Sequence, residues 1–532
     1  MNSHLKMKTA MFNKKKILPA LVVFLFFCAY ILVGYSIYKD YGISADEETD
    51  YKRGMISYNR FVGGKAGVYM DACGKLKDVC YYPPLFSMVL YRYAPGGDSQ
   101  ALYWRRHQLT FAFFAFSVFI FFLIGKKIFK DWKLGLLGAL FLIISPTIFG
   151  NSFYNPKDIP FLSAYVISIY TLLLFLDKKN IFTAILHGIG IGIACSIRTP
   201  GLIMIPVTLF FYFLDVYLAK SKWKSYLKAG LFVLTAVVVA VGLVIWFTPL
   251  LYTNTIANYI RTFNIFKQYP WNNFQLYMGQ NIQGNIPWHY SLVWFTISSP
   301  VLYVALFLVG SITLVVRTLK SRIREHFQAM RDLYLAGACG ILPIVAVIVE
   351  KSTLNTGNRQ MYFVYPALLL ISLYGFKVLA DKLRQKTLHW QVWMSIILIA
   401  GLAYPVYFMI RYHPYEYTYF NFLAGSKMSI VKQNFGMDTW GVSVMDGLKY
   451  IARTDPSPKI TVQVLDNFPR GLLLLPVDDR NRMAVTNITR DPPDYVITIY
   501  YFRIKTPIAG KAVYSIVVGD TDILTVYKMN SQ

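Results

Sequence analysis

Carboxylates placed where an apolar chain leaves a membrane are costly unless they pair or work, so the acids at such boundaries are the first candidates for chemistry. Asp46, Glu47 and Glu48 stand in SADEETDY, about ten residues past a long apolar run, and Asp158 stands in NSFYNPKDIP between two others. If these segments converge, Asp46 and Asp158 share a pocket. Neighbouring carboxylates raise one another's pKa or recruit a cation, and either outcome suits a general base. The same residues also fit structural roles. Ser44 followed by Glu47 has capping-box spacing, the Asn and Pro before Asp158 fit a turn and helix start, and Glu350 has Lys351 beside it as a partner.

The cations of the same boundary are Arg105, Arg106, Lys157, Arg198, Lys351 and Arg359. A few such groups beside carboxylates suit a phosphate-linked lipid, because arginine holds phosphate oxygens bidentately. Arg359, Arg198 and Lys157 are the candidates for that phosphate, although interface cations also anchor helices to headgroups. Sugars are held by amide hydrogen bonds and aromatic faces. Tyr82 in YYPPL and Trp288 and His289 in PWHY, at the end of the Asn, Gln and Trp mixture of 268–288, are therefore candidate substrate contacts. Part of this aromatic content is what an interfacial belt requires. No Walker loop or HExxH occurs, and the histidines, among them His107, His187, His289 and His413, lack metal-ligand spacing. Gly188, Gly190 and Gly192 lie in an apolar run and read as close helix packing.

These residues must be positioned by a membrane bundle. The 532 residues are 55% hydrophobic and 15% charged, against about 45–50% and about 25% in soluble domains. With 54 Lys+Arg and 27 Asp+Glu the net charge is +27. In a soluble chain that would suggest nucleic acid, but a mean hydropathy of +0.42 argues against it. A span needs about 20 apolar residues, and eleven runs qualify: 17–37, 108–125, 134–150, 159–176, 181–197, 199–219, 229–251, 290–316, 333–349, 361–376 and 390–410. Nine carry no charge or His; the fifth holds His187 and the sixth Asp215. The first run is longer than a signal-peptide core and no A-x-A site follows, so it reads as a retained helix.

Orientation follows from short-loop Lys and Arg. One side collects 24 of them, the other six. The expectation is a multi-pass protein of the plasma (inner) membrane with a cytoplasmic N-terminus and an extracytoplasmic C-terminus. Residues 1–410 form the membrane module, with outer segments at 38–107 and 249–289, and 411–532 form an outer domain. Strand-like runs at 459–465, 494–502 and 513–518 make that domain α/β or mainly β. The expected fold class is thus mainly α, polytopic, with a small C-terminal domain. Cys73 and Cys80 share the first outer segment, where a disulfide could persist; spacing alone leaves the bridge open.

The order of motifs resembles the GT-C superfamily of membrane glycosyltransferases, in the branch of protein O-mannosyltransferases and lipid A aminoarabinose transferases. The matching pieces are Ala45-Asp46-Glu47 after the first span, Tyr82-Pro83-Pro84-Leu85, SPTIFGNSFYNPKDIP, GNIPWHY before the eighth span and RQMYFVYP at 359–366. The resemblance implies transfer, with inversion, of a sugar from a polyprenyl-phosphate donor to a glycan, lipid or protein acceptor on the outer face. It maps the base onto Asp46 and a second aspartate onto Asp158, with Glu47 or Asp158 orienting base or acceptor. A divalent metal stays open. The other classes are a secondary transporter or flippase of envelope lipids, which would place ionisable residues at mid-membrane, and a non-catalytic scaffold.

Overall fold

In lipid every backbone polar group must be satisfied within the chain, so long apolar runs become helices. The structure, a computed structural model, describes residues 2–75, 80–94, 96–220, 222–267, 274–284, 286–320, 323–354, 356–465, 469–486, 492–500 and 508–529, and the side chains of all these except 2–16, 323–326 and 356. Among the described residues nine helices are long and apolar enough to cross a membrane: Ile17–Ile37, Ser99–Phe129, Asp158–Lys178, Thr199–Leu218, Trp223–Phe247, Val301–Lys320, Phe327–Val349, Gly357–Lys386 and Trp390–Arg411. A tenth position is a pair, Trp132–Ile143 and Pro146–Tyr154, bent by 69°, and Ile181–Ile197 is a shorter apolar helix. The chain is an integral membrane protein, mainly helical.

Two expected spans are broken. The run 134–150 bends at Ser145-Pro146, where proline cannot continue the hydrogen-bond ladder. Ser145 donates to the Phe141 carbonyl (2.8 Å) and lies 3.1 Å from the Tyr365 hydroxyl. Its second half, Pro146–Tyr154, is almost wholly buried. The run 290–316 is two helices, Tyr290–Ser298 and Val301–Lys320, parted at Ser299-Pro300. The carbonyls freed at this break are not orphaned: Asn421 donates its amide to Thr296 (2.6 Å) and Ser299 (2.7 Å), and its backbone N–H to Ile297 (2.8 Å).

The glycine run at 188–192 packs as expected. A Cβ on Gly188 would sit 2.5 Å from the Ala236 carbonyl, so only glycine lets helices 181–197 and 223–247 approach this closely. His187 lies between Thr171 (3.1 Å) and Thr208 (2.7 Å), fully enclosed. At the bundle end away from Asp46, Arg331 pairs with Asp177, Asp215 and Asp332, while Lys127 and Lys179 bind Asp177 and Asp215. These pairs tie four spans together.

At the other end, residues 38–107 fold into short helices, Glu47–Phe61, Ala66–Lys75 and Leu85–Tyr93, before the long helix Ser99–Phe129. Cys73 and Cys80 are joined by a disulfide. The part of segment 249–289 that falls on 268–273 and 285 lies outside the described residues. Its remainder contains helix Thr255–Lys267 and a two-stranded hairpin, β1 (Gln275–Tyr277) and β2 (Gln280–Ile282).

The chain after Arg411 forms an α/β domain. Its strands are β3 (Ile460–Val464), β4 (Met483–Thr486), β5 (Tyr495–Thr498), β6 (Gly510–Val518) and β7 (Thr521–Met529), in sheet order β4-β3-β5-β7-β6. β3 runs parallel to β4 and β5, while β7 is antiparallel to β5 and β6. Helix Val444–Thr454 packs Leu448 and Ile451, both fully buried, against this sheet. β4 and β7 are additional to the three expected strands; the turn Gly519-Asp520 between β6 and β7 makes them one hairpin.

Candidate functional site

Helix Glu47–Phe61 explains the local chemistry. Its inward stripe, Glu47, Asp50, Gly54 and Ser57, is polar or small where a packed helix would ordinarily be apolar, and all four are buried. Asp46 occupies the N-cap but its side chain does not cap. It turns instead to two cations: Arg359 Nη1 lies 2.6 Å and Lys157 Nζ 3.2 Å from Asp46 Oδ2. Burial alone would raise this carboxyl, but Arg359 first and Lys157 second hold it well below the usual range. Lys157 is pushed down to about 8, by burial first, with Asp46 opposing.

Asp158 begins its helix and is 2% exposed. It is bound by Arg198 and by the Asn155 amide (3.1 Å), and Arg359 Nη1 reaches it at 3.8 Å. Burial, above all, lowers Arg198 to about 10. Arg359 thus bridges Asp46 and Asp158. It is aimed by an uncommon backbone: Gly357 and Asn358, directly before it, have φ of 76° and 58°, a conformation glycine and asparagine adopt most readily. That turn is pinned from outside, since Ser291 donates to Asn358 Oδ1 (2.9 Å) and Gln275 to the Leu354 carbonyl (2.9 Å).

Two carboxylates therefore face three cations, and the cluster carries one net positive charge. The ring of Tyr82 lies below Arg53 (4.7 Å) and Lys157 (5.1 Å). Arg53 belongs to a second buried group in which Asp50 accepts from Arg53 (2.9 Å), Ser87 (2.6 Å) and Arg106 (3.0 Å). A cavity of about 380 Å³ opens beside the cluster, within the range of small-molecule sites. Tyr82 and Arg198 are in its wall, and most of the rest is apolar: Leu202, Ile203, Phe263, Phe266, Pro343, Val347, Met361 and Phe363.

The structure brings together Asp46, Asp158, Lys157, Arg198, Arg359 and Tyr82. It does not bring Glu47 to them. Glu47 is 1% exposed and accepts from the Ser44 N–H (2.8 Å), while His107 Nε2 lies 3.1 Å away. Only one arm of the expected capping box forms, because the Glu47 N–H donates to the Ser44 backbone carbonyl (3.2 Å), while the Ser44 hydroxyl donates to the Tyr154 carbonyl (2.9 Å). Glu47 is thus buried and bound to Ser44 and His107, apart from the cations that hold Asp46. Trp288 lines a different cavity, of about 280 Å³, with Lys351, and His289 Nδ1 lies 2.7 Å from the Tyr277 hydroxyl. Glu350 lines the larger cavity.

Sequence reasoning passed over Asp50, Arg53 and Trp440. The first two were signalled by the polar stripe after Asp46. Trp440, whose ring lies 4.4 Å from the Arg359 guanidinium, had no signal beyond the turn glycines around it. Among the described residues no three His, Cys, Asp or Glu side chains stand where they could hold a metal ion. Both site carboxylates are already matched by cations, so this donor set does not fit a divalent ion.

Residues 106–246 match the family described as dolichyl-phosphate-mannose-protein mannosyltransferase. This segment, about a quarter of the chain, carries Lys157, Asp158 and Arg198, and there the resemblance seen in the sequence is borne out. Asp46, Arg359 and Trp440 lie outside it. No curated protein matches the chain. Among solved structures, ArnT from Cupriavidus metallidurans bound to undecaprenyl phosphate is similar, with 13% identity, a TM-score of 0.49, and coverage of 95% of this chain and 98% of that one. The oligosaccharyltransferase AglB from Archaeoglobus fulgidus, in complex with an inhibitory peptide and a dolichol-phosphate, aligns with 12% identity and a TM-score of 0.46; the match covers 86% of this chain and 65% of AglB.

Proposed function

We propose that this protein transfers a sugar from a polyprenyl-phosphate carrier to an acceptor hydroxyl at the membrane surface. The observation that carries the reading is the Asp46–Arg359–Asp158 bridge, flanked by Lys157 and Arg198, with Arg198 also lining a largely apolar cavity. A phosphate-linked sugar leaves with its phosphate, whose negative charge grows as the C1–O bond breaks. Neutralising that charge matters more than protonating the leaving group. A cluster with one net positive charge supplies this, and the apolar cavity suits a prenyl chain.

The donor phosphate competes with Asp46 for Arg359 and Lys157. On donor binding these cations turn to the phosphate, and the Asp46 carboxylate regains ordinary basicity. It then accepts the proton of the acceptor hydroxyl as that oxygen attacks C1 from the face opposite the phosphate. The C1–O bond breaks, polyprenyl phosphate departs, and the anomeric centre is inverted. Asp158 holds Arg198 and reaches the same Nη1 of Arg359 that Asp46 binds. The excess of Lys and Arg in the loops at the opposite end supports an extracytoplasmic position for the site, the tail domain and the acceptor, whether glycan, lipid or protein.

The test is release of polyprenyl phosphate from a labelled polyprenyl-phosphate sugar pool by the purified chain in liposomes. Release that requires acceptor supports transfer. Movement of label across the bilayer without release would instead identify a flippase or transporter.

A further inference from the structure

We infer that Trp440 is the positioning residue through which the tail domain completes the phosphate site; this rests on the donor-phosphate reading above. Trp440 is 6% exposed, and its indole lies 4.4 Å from the Arg359 guanidinium. Its carbonyl accepts from the Ala45 N–H (3.1 Å), next to Asp46. One residue of the tail thus meets Arg359 with its ring and the residue before Asp46 with its carbonyl.

The loop that presents it is built for a fixed position. Asp438 accepts from the N–H groups of Gly441 (3.0 Å), Val442 (3.3 Å) and Ser443 (3.1 Å) and from the Ser443 hydroxyl (2.5 Å). Gly42 abuts the same loop so closely that a Cβ there would lie 2.2 Å from the Val442 carbonyl. An arginine that must leave one anion for another needs a support that does not compete for its N–H groups. An aromatic face provides that, attracting the cation while leaving the donors at the guanidinium edge free. Trp440 keeps Arg359 in the site whether its partner is Asp46 or a phosphate.

The test is a double-mutant cycle on the full chain in detergent, with farnesyl phosphate as the probe. Trp440→Leu should weaken binding about tenfold and Trp440→Phe, which keeps a smaller aromatic face, about threefold. In an Arg359→Ala background neither should weaken it further, because the interaction is already gone. Thermal melting of each variant establishes that it is folded, and Trp440→Phe carries the cycle if Trp440→Leu does not fold. Equal losses in both backgrounds, or no loss in either, would overturn the positioning role while leaving the phosphate site intact. Arg359→Ala binding as tightly as wild type overturns the phosphate reading, and the role of Trp440 with it.

Discussion

Asp46 Oδ2 lies 2.6 Å from Arg359 Nη1 although 313 residues separate them in the chain. One residue follows the first span; the other precedes the helix Tyr365–Lys386. A carboxylate held this way is a weak base, so the pair describes a resting state. In the proposed reaction, donor phosphate is what unlocks it.

Asp46→Asn separates binding from chemistry. Removing the base should lower turnover by about 10²–10⁴-fold. Removing the charge that competes for Arg359 should tighten binding of farnesyl phosphate. Parallel loss of both in a folded variant would show that Asp46 only holds the site together.

Lys157 gives the site a pH dependence. Its folded pKa of about 8 lies below the ordinary 10.5, so its positive charge is present below about pH 8 and lost above it. The reaction's kcat/KM for the donor, which reports groups of the free protein, should therefore fall above about pH 8. Lys157→Arg should move that limb upward by more than one unit, because guanidinium stays charged.

Asp158→Asn tests structure more than chemistry. It leaves Arg198, 14% exposed, without its anion, and breaking a buried pair costs about 3–5 kcal/mol. A clear drop in melting temperature is expected, and Asp158→Asn with Arg198→Met together should recover part of it.

A second pH effect belongs to stability. His413 lies between Glu416 (2.5 Å) and Asp40 (3.0 Å), tying the start of the tail to the end of the first span. Burial opposes its charge, but the two carboxylates raise it from 6.5 to about 9. Its contribution is full below about pH 6.5, declines as pH rises, and is absent above about 9. The melting temperature should fall across that window, and less steeply in His413→Gln.

Much of this was legible in the chain because lipid imposes harsh rules. Apolar run length located every helical element of the bundle, and the rarity of charge at its boundaries singled out Asp46, Asp158, Lys157, Arg198 and Arg359. Breaks were harder to see. Pro146 and Pro300 sit in runs that stay apolar throughout, and the partners that satisfy the opened backbone, Ser145 and Asn421, carry no pattern of their own. Glu47 and Asp46 are adjacent in the chain yet take different partners. On a helix N-terminus, adjacent residues point about 100° apart, and Glu47 turns to His107. Trp440 was invisible for the opposite reason: its role depends on a contact between domains, which periodicity does not encode.

The most direct measurement is mass spectrometry of envelope glycans and lipids from cells lacking the protein and from the same cells supplied with wild type or Asp46→Asn. One sugar-sized mass increment should be present with wild type and missing from the other two, with the variant accumulating in membranes at the wild-type amount. An Asp46→Asn sample that keeps the increment in full would contradict the account.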